Sequence, residues 1–270
     1  MDRRIILVTG ASSGLGRACA DHLHARGFRV YGTSRRGPEC CNAPYTILPV
    51  DVTDPVSVGQ AVSAILEREG RLDVVVNNAG MGIAGSVEDT AEDEMQAQME
   101  TNFMGMARLC RAALRVMRPQ GAGLIINVSS IGGLYGLPFQ AYYSASKFAV
   151  EGLSEALRYE VRPFGVQVAL VEPGDFRTGF TGSRRWTAAT ETGSPYAEQA
   201  RRTVNIMARD EQNGADPAQF ARLVERIIRT PKPKARYVTG SITQRVMAFA
   251  RGKVPHALVE LGMRLIYRID

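Results

Sequence analysis

The segment QAYYSASK at residues 140–147 brings two tyrosines, two serines and a lysine close together. A phenol titrates near ~10, so a tyrosine serves as an acid or base near neutrality only beside a cation that favours its phenolate. On a helix, residues four apart lie about 40° apart around the axis and share a face. That spacing sets Lys147 beside Tyr143, whereas Tyr142 points about 140° away from Lys147. A pair so placed could exchange a proton with a carbonyl or hydroxyl oxygen. Upstream, INVSS at 126–130 ends in two serines where side chains should alternate sides of a strand end, so Ser129 and Ser130 both remain candidates to hold that oxygen.

A second constellation suits a phosphate. TGASSGLG at 9–16 sets Gly10, Gly14 and Gly16 between a β-branched run and an amphipathic stretch. A strand that turns sharply into a helix with a ligand pressed on its backbone needs residues without Cβ. The helix then presents N–H groups and its positive dipole end to a pyrophosphate.

Both groups must be positioned by a larger frame. Short apolar runs at 5–10, 29–34, 46–52, 72–80, 123–130, 166–174 and 236–240 alternate with segments of helical period such as GRACADHLHARG and VSVGQAVSAILEREG. This predicts βαβ units: an α/β, doubly wound Rossmann-type three-layer sandwich around a mostly parallel seven-stranded sheet. The runs are almost continuously apolar, as strands covered on both faces should be. No internal repeat or linker divides the chain, so residues 1–240 read as one domain, with a long stretch at about 175–214 as a substrate lid. Residues 241–270 read as a basic helical extension packed on the same domain.

The 270 residues are 45% apolar and 22% charged, the composition of an ordinary globular protein. No apolar run is long enough for a membrane span or a signal peptide, which points to the cytoplasm. Cys19, Cys40, Cys41 and Cys110 have no paired spacing, and with only His22, His24 and His256 beside them neither a structural metal site nor a disulfide framework is expected. Cys19 and Cys110 fall on apolar helix faces and read as buried thiols. The net charge of +6 conceals an asymmetry: residues 220–270 carry 11 Lys/Arg against 3 Asp/Glu. No aromatic interleaving or module supports nucleic-acid binding.

Together TGASSGLG, NNAG (77–80), Asn102 in a helix, INVSS, YSASK and PGDFRT (173–178) resemble the short-chain dehydrogenase/reductase family in its single-domain form, in order and spacing over residues 4–240. The resemblance implies that Tyr143 is the general acid/base, that Lys147 lowers its pKa and holds the nicotinamide ribose, and that Ser130, thirteen residues upstream, binds the substrate oxygen. It implies that Asn102 completes a proton relay. The implied reaction is hydride transfer between a nicotinamide and a carbonyl carbon, with no metal.

The same resemblance assigns a nucleotide groove to Gly10, Ser12, Ser13, Gly14, Leu15 and Gly16, to Asp51 and Val52 at the adenine, and to Asn77, Asn78, Ala79 and Gly80. Pro173, Gly174 and Thr178 would lie at the nicotinamide with Tyr143 and Lys147. Arg35 and Arg36 stand where NAD-preferring relatives carry an acidic residue. An arginine fork suits a 2′-phosphate, so NADP(H) is expected over NAD(H). Ser13 departs from those NADP-preferring relatives that carry a basic residue there.

The stretch from Tyr142 to Val166 resembles the hydroxysteroid and retinol dehydrogenase branch, implying a bulky, largely apolar ketone or secondary alcohol. Arg184, Arg185 and Trp186 in the presumed lid would suit an acidic group, so a 3-oxoacyl thioester reductase is an alternative. A non-catalytic nucleotide sensor is another, which the intact catalytic set argues against. The resemblance also implies a homodimer or homotetramer assembled through the helices carrying Asn102 and Tyr143. The C-terminal extension, apolar and basic at helical spacing, should pack on the domain or a neighbouring subunit, with membrane-surface contact the lesser expectation.

Overall fold

The structure, a computed structural model, describes residues 3–40 and 42–269; Cys41 lies outside them. Seven β-branched segments form the central sheet: β1 (Ile5–Val8), β2 (Arg29–Ser34), β3 (Thr46–Pro49), β4 (Val74–Asn77), β6 (Gly123–Val128), β7 (Val166–Pro173) and β9 (Arg236–Thr239). They pair in the order β3-β2-β1-β4-β6-β7-β9, every neighbour parallel. This is the doubly wound sheet that the alternation of runs predicts. β5 (Ile83–Ala84) and β8 (Arg185–Trp186) form a separate parallel pair.

Strand side chains alternate between two cores. Ile6, Val8, Val76, Ile126 and Val171 pack with Cys19 and Leu23 of α1 (Gly14–Ala25) and with Phe220, Val224 and Ile227 of α9 (Pro217–Arg229). Leu7, Val75, Ile125 and Leu170 face α2 (Pro55–Glu69), α4 (Gly105–Gln120) and α5 (Ala141–Val161) through Ile65, Leu109, Met117, Val150 and Leu157. Burial on both faces explains why these strands lack a polar side. Cys19 and Cys110 are buried free thiols, as their apolar surroundings suggest, and burial pushes the Cys110 thiol up to about 12.

Local chemistry sets the helix ends. Asp54 and Asp216 accept from Val56 N and Ala218 N, each at 2.8 Å, ahead of Pro55 and Pro217 at the first helical position. Gly70 and Gly121 end α2 and α4 with φ of 70° and 68°. On one flank Glu225 of α9 ties α1 down, bonding His22 Nε2 at 2.7 Å and Arg26 Nε at 2.9 Å, while accepting from its own Arg229 at 2.9 Å.

Two stretches differ from the sequence reading. The third strand stops at Pro49, which has no N–H to continue the ladder, and Asp51 turns inward on Thr53 and Ser57. Residues 175–214, read as one long lid stretch, contain three helices: α6 (Phe180–Ser183), α7 (Ala188–Thr192) and α8 (Ala197–Gln212). Between α2 and α4, α3 (Glu92–Met99) runs through a wide π turn, Glu100–Met104, into α4. The chain ends in α10 (Ile242–Ala250) and α11 (His256–Tyr267). No helix among the described residues is long and apolar enough to cross a membrane.

Candidate active site

The predicted residues collect at the carboxyl ends of β1, β4, β6 and β7, beside the point between β1 and β4 where strand order reverses direction. In open α/β sheets, loops diverge there and leave a crevice for ligands.

α5 presents Tyr143 and Lys147 one turn apart, with Lys147 Nζ 5.8 Å from the centroid of the tyrosine ring. Lys147 is buried and anchored by donating to Val128 O, the last residue of β6, at 3.0 Å. Immediately after β6 the extended Ser130 starts a short turn, its Oγ accepting from Gly132 N at 3.0 Å. A Cβ on Gly132 would stand 3.2 Å from Tyr143 Cε1 and 3.4 Å from Ser130 Oγ, so the three residues converge. Ser129, the other candidate, lies against the Gly133 backbone and beside Glu151, away from the phenol. Geometry thus separates two serines that strand alternation left equivalent.

Asn102 sits buried in the π turn. Its Oδ1 accepts from Met81 N at 2.8 Å, and its Nδ2 donates to Met81 O at 3.0 Å and Ser146 Oγ at 3.1 Å. The side chain therefore fastens the loop after β4 to α5, the helix carrying Tyr143 and Lys147. A π turn widens the helix by a residue and is a frequent feature of functional sites.

Burial lowers the Lys147 ammonium to about 8, against the opposing pull of the Glu151 carboxylate. Tyr143 moves up from its ordinary value: burial dominates, Ser130 pulls it back, and Glu211 and Asp175 push up while Arg184 pulls down. The expected lowering by Lys147 is not what governs this phenol. It stays protonated through neutrality, which suits a proton donor.

The nucleotide turn has the shape its glycines promise. Gly10 and Gly14 adopt φ of 64° and 56°, the left-handed region costly for other residues. A Cβ at Gly16 would fall 2.3 Å from Gly10 O. Ser13 caps α1 in extended conformation without a side-chain bond, and no acid stands in the first turn. Ser12, Ser13 and Leu15 complete this loop, and its N–H groups form a cradle that fits a pyrophosphate. Gly14 packs against Thr178, whose side chain would be 3.6 Å from an added Cβ, joining the turn to the segment after Pro173 and Gly174. Asp51 receives Thr53 N at 2.9 Å and Thr53 Oγ1 at 2.7 Å, and it feels the charge of Arg35. Arg35 and Arg36 are exposed at the end of β2, and Val52 is buried in the core that packs α2.

Some positioning residues escaped the sequence reading. Thr9 Oγ1 accepts from Asn78 N and Ala79 N, both at 2.9 Å, and Asn78 Nδ2 returns to Thr9 O at 2.9 Å, binding β1 to the NNAG loop. Gly80 follows, with space for a Cβ only 3.3 Å from Asn102 Oδ1. Asn77, expected to line the nucleotide groove, instead has its side chain buried: its Nδ2 donates to Asn127 Oδ1 and Asn127 Nδ2 to Ser154 Oγ, each at 2.8 Å, linking β4, β6 and α5. Arg236 of β9 joins Glu172 at 2.8 Å and Glu151 of α5, two carboxylates buried in the interior. Polar residues at strand positions were visible in sequence; their partners, 27 to 85 residues away, were not.

Over the site, the Phe180 ring of α6 lies tilted at 53° to the Tyr143 ring, with centroids 6.0 Å apart. Arg184, expected to meet a ligand's acidic group, instead has its side chain 3% exposed and paired with Glu211 of α8. Thr181 Oγ1 donates to the same carboxylate at 2.5 Å. Arg185 remains exposed, and Trp186 takes Arg201 over its ring at 5.4 Å. A cavity of about 470 Å³ between α5 and α11 is lined by Ala141, Ala145, Phe148 and Met263. It lies on the face of α5 turned away from Tyr143, so it is not the reacting centre.

Comparison with known proteins agrees with this fold. Residues 4–188 match the family described as short chain dehydrogenase. A 3-ketodihydrosphingosine reductase of Bacteroides thetaiotaomicron is 44% identical over 269 residues, covering 100% of both chains. Human 17-beta-hydroxysteroid dehydrogenase type 1 is 33% identical, covering 93% of this chain and 81% of its own. The crystal structure of a short-chain dehydrogenase from Streptomyces avermitilis, 35% identical, superposes with a TM-score of 0.83 over 100% of this chain and 99% of that one. The chain belongs to the short-chain dehydrogenase/reductase family and is an oxidoreductase acting on carbonyl and alcohol groups.

Proposed function

We propose that the chain reduces the ketone of a long-chain base, of the kind named for its Bacteroides relative, with NADP(H) as hydride carrier. The observation that carries the reading is the convergence of Ser130, Tyr143 and buried Lys147 at the strand ends, in a chain matched end to end by that relative. When bound, the nicotinamide supplies the hydride. The loop of Gly10 to Gly16 would hold its pyrophosphate, and Arg35 and Arg36 the 2′-phosphate. Asp51 and Val52 would meet the adenine, Asn78, Ala79 and Gly80 the groove wall, and Pro173, Gly174 and Thr178 the carboxamide end. Lys147 would hold the adjoining ribose.

The chain's own residues supply the proton. Ser130 orients the substrate oxygen, Tyr143 donates its O–H as charge develops there, and the Lys147 cation stabilises the resulting phenolate. Asn102 keeps α5 and the Met81 loop in register for this transfer.

Three features support a long-chain amino ketone. Phe180 makes an apolar wall beside Tyr143. Asp175 lies close enough for its charge to bear on the phenol and would face a substrate ammonium, while Glu211 is already matched by Arg184. The pairing of Arg184 with Glu211 occupies one of the two arginines that favoured an acyl thioester. The reading includes a cytoplasmic enzyme assembling as a homodimer or homotetramer through α4 and α5.

The test is NADPH oxidation with 3-ketodihydrosphingosine, a steroid ketone and a 3-oxoacyl thioester in parallel. The reading expects kcat/KM for the long-chain base to exceed the others by at least ~100-fold, about the discrimination a few well-placed contacts provide. Efficient turnover of the steroid or thioester with none of the base would overturn it.

A further inference from the structure

The described residues expose fifteen large apolar side chains, and eight of them lie between Ile242 and Ile266. They are arranged as ridges. On α10, Ile242, Val246 and Phe249 follow i, i+4, i+7 spacing and are 78%, 60% and 74% exposed. On α11, Leu258, Leu261 and Leu265 follow i, i+3, i+7 and are 58%, 52% and 70% exposed. Such spacing sets three side chains within about 60° of one another around a helix.

The opposite faces are the ones in use. Gln244 bonds Asp175, Tyr135 donates to Met247 O at 2.7 Å, and Thr203 donates to Tyr267 O at 3.3 Å. With Met263 and Tyr267 turned inward, neither ridge can rotate into the core without breaking these contacts.

The charge beside the ridges identifies what they meet. Between residues 241 and 270 stand Arg245, Arg251, Lys253, Arg264 and Arg268 against two acids, Glu260 and Asp270. Lys253 Nζ sits 3.3 Å from the centroid of the Phe249 ring, a cation directly on the apolar ridge. Among the described residues, Arg245, Lys253 and Arg268 have no carboxylate partner. A second copy meeting this patch by two-fold symmetry would bring two net-positive surfaces together. An anionic lipid surface satisfies both components: the apolar ridge enters the acyl boundary while long basic side chains reach the headgroups.

We infer that α10 and α11 form a docking surface for an anionic lipid bilayer, holding the enzyme on the membrane without crossing it. The inference stands on the surface alone and is independent of the substrate.

The test is sedimentation of the full chain with phosphatidylcholine vesicles and with vesicles also containing phosphatidylglycerol. The expected result is binding at least ~10-fold stronger to the anionic vesicles, weakening as salt is raised. Replacing Ile242, Val246 and Phe249 by Ser, or Leu258, Leu261 and Leu265 by Ser, should reduce that binding by at least ~10-fold. Arg245→Gln with Lys253→Gln and Arg268→Gln should abolish the preference for anionic lipid. The thermal unfolding midpoint, followed by circular dichroism, should stay within a few degrees of wild type, about what surface substitutions allow. Wild type remaining in the supernatant with anionic vesicles would overturn the inference. So would serine variants whose mass by light scattering halves while vesicle binding is unchanged, since the ridges would then be covered by a second copy.

Discussion

At the scale of single residues, the central feature is that one cation and one phenol share a helix face but titrate differently. Lys147 falls to about 8 because it is buried, so its positive charge is present below that pH and lost above it. Tyr143 rises, chiefly through burial, and keeps its proton. Ketone reduction should therefore be level through neutrality and decline above about pH 8. In Lys147→Arg, which keeps its charge, the decline should move to higher pH on a plateau lowered by ~10 to 100-fold, since Arg is not equivalent in shape. An unmoved alkaline limb would assign that titration elsewhere. At the other end of the groove, Arg35→Ser with Arg36→Ser should raise KM for NADPH by ~10 to 100-fold and leave that for NADH nearly unchanged. The pairing of Tyr143 with Lys147 was legible from helical spacing, because both partners lie within one turn. Arg184 was not, because its partner Glu211 arrives from another helix.

At the scale of elements, strand-to-helix turns and interhelical clamps decide whether the site assembles. The Gly16 Cβ position is filled by Gly10 O at 2.3 Å, so Gly16→Ala must push the turn open. Nucleotide affinity measured by fluorescence titration should drop by at least ~100-fold, comparable to losing several of the backbone contacts at a helix N-terminus. Farther off, Glu225 is held at about 2, the cost of its burial being outweighed by hydrogen bonds from Arg26, His22 and Arg229. A carboxylate depressed in the folded state stabilises above its unfolded pKa, and the gain disappears as pH falls through the window from about 4.5 to about 2. Arg26 is 56% exposed, so solvent screens the clamp. Glu225→Gln should cost ~1 kcal/mol at pH 7 in denaturant unfolding, and the difference should vanish near the acid end. The elements themselves were readable from periodicity and punctuation. The helices α6 and α7 within residues 175–214 were less so, since such short helices leave weak patterns and are held by distant partners such as Glu94, which receives Ala188 N at 3.0 Å.

At the scale of the whole molecule, the sheet order explains why distant motifs become one site. β1, β4, β6 and β7 bring TGASSGLG, NNAG, INVSS and PGDFRT to the same edge, and α5 lays YSASK across them. That much was legible because each motif ends a strand in a parallel sheet. What holds it was not: the chain of Asn77, Asn127 and Ser154, and the grip of Arg236 on Glu151 and Glu172, join residues whose proximity only the tertiary fold creates. The outward ridges of α10 and α11 were likewise ambiguous in sequence, where an amphipathic pattern does not say which face is covered. The central claim is that Tyr143 delivers the proton in an oxidoreductase built on this frame. It is tested most directly by Tyr143→Phe, which removes one oxygen and keeps the ring against Phe180. The account predicts that NADPH binding measured by fluorescence stays within ~3-fold of wild type while kcat for the long-chain ketone falls by at least ~100-fold, the ordinary contribution of a positioned general acid. A Tyr143→Phe enzyme with wild-type kcat would contradict it.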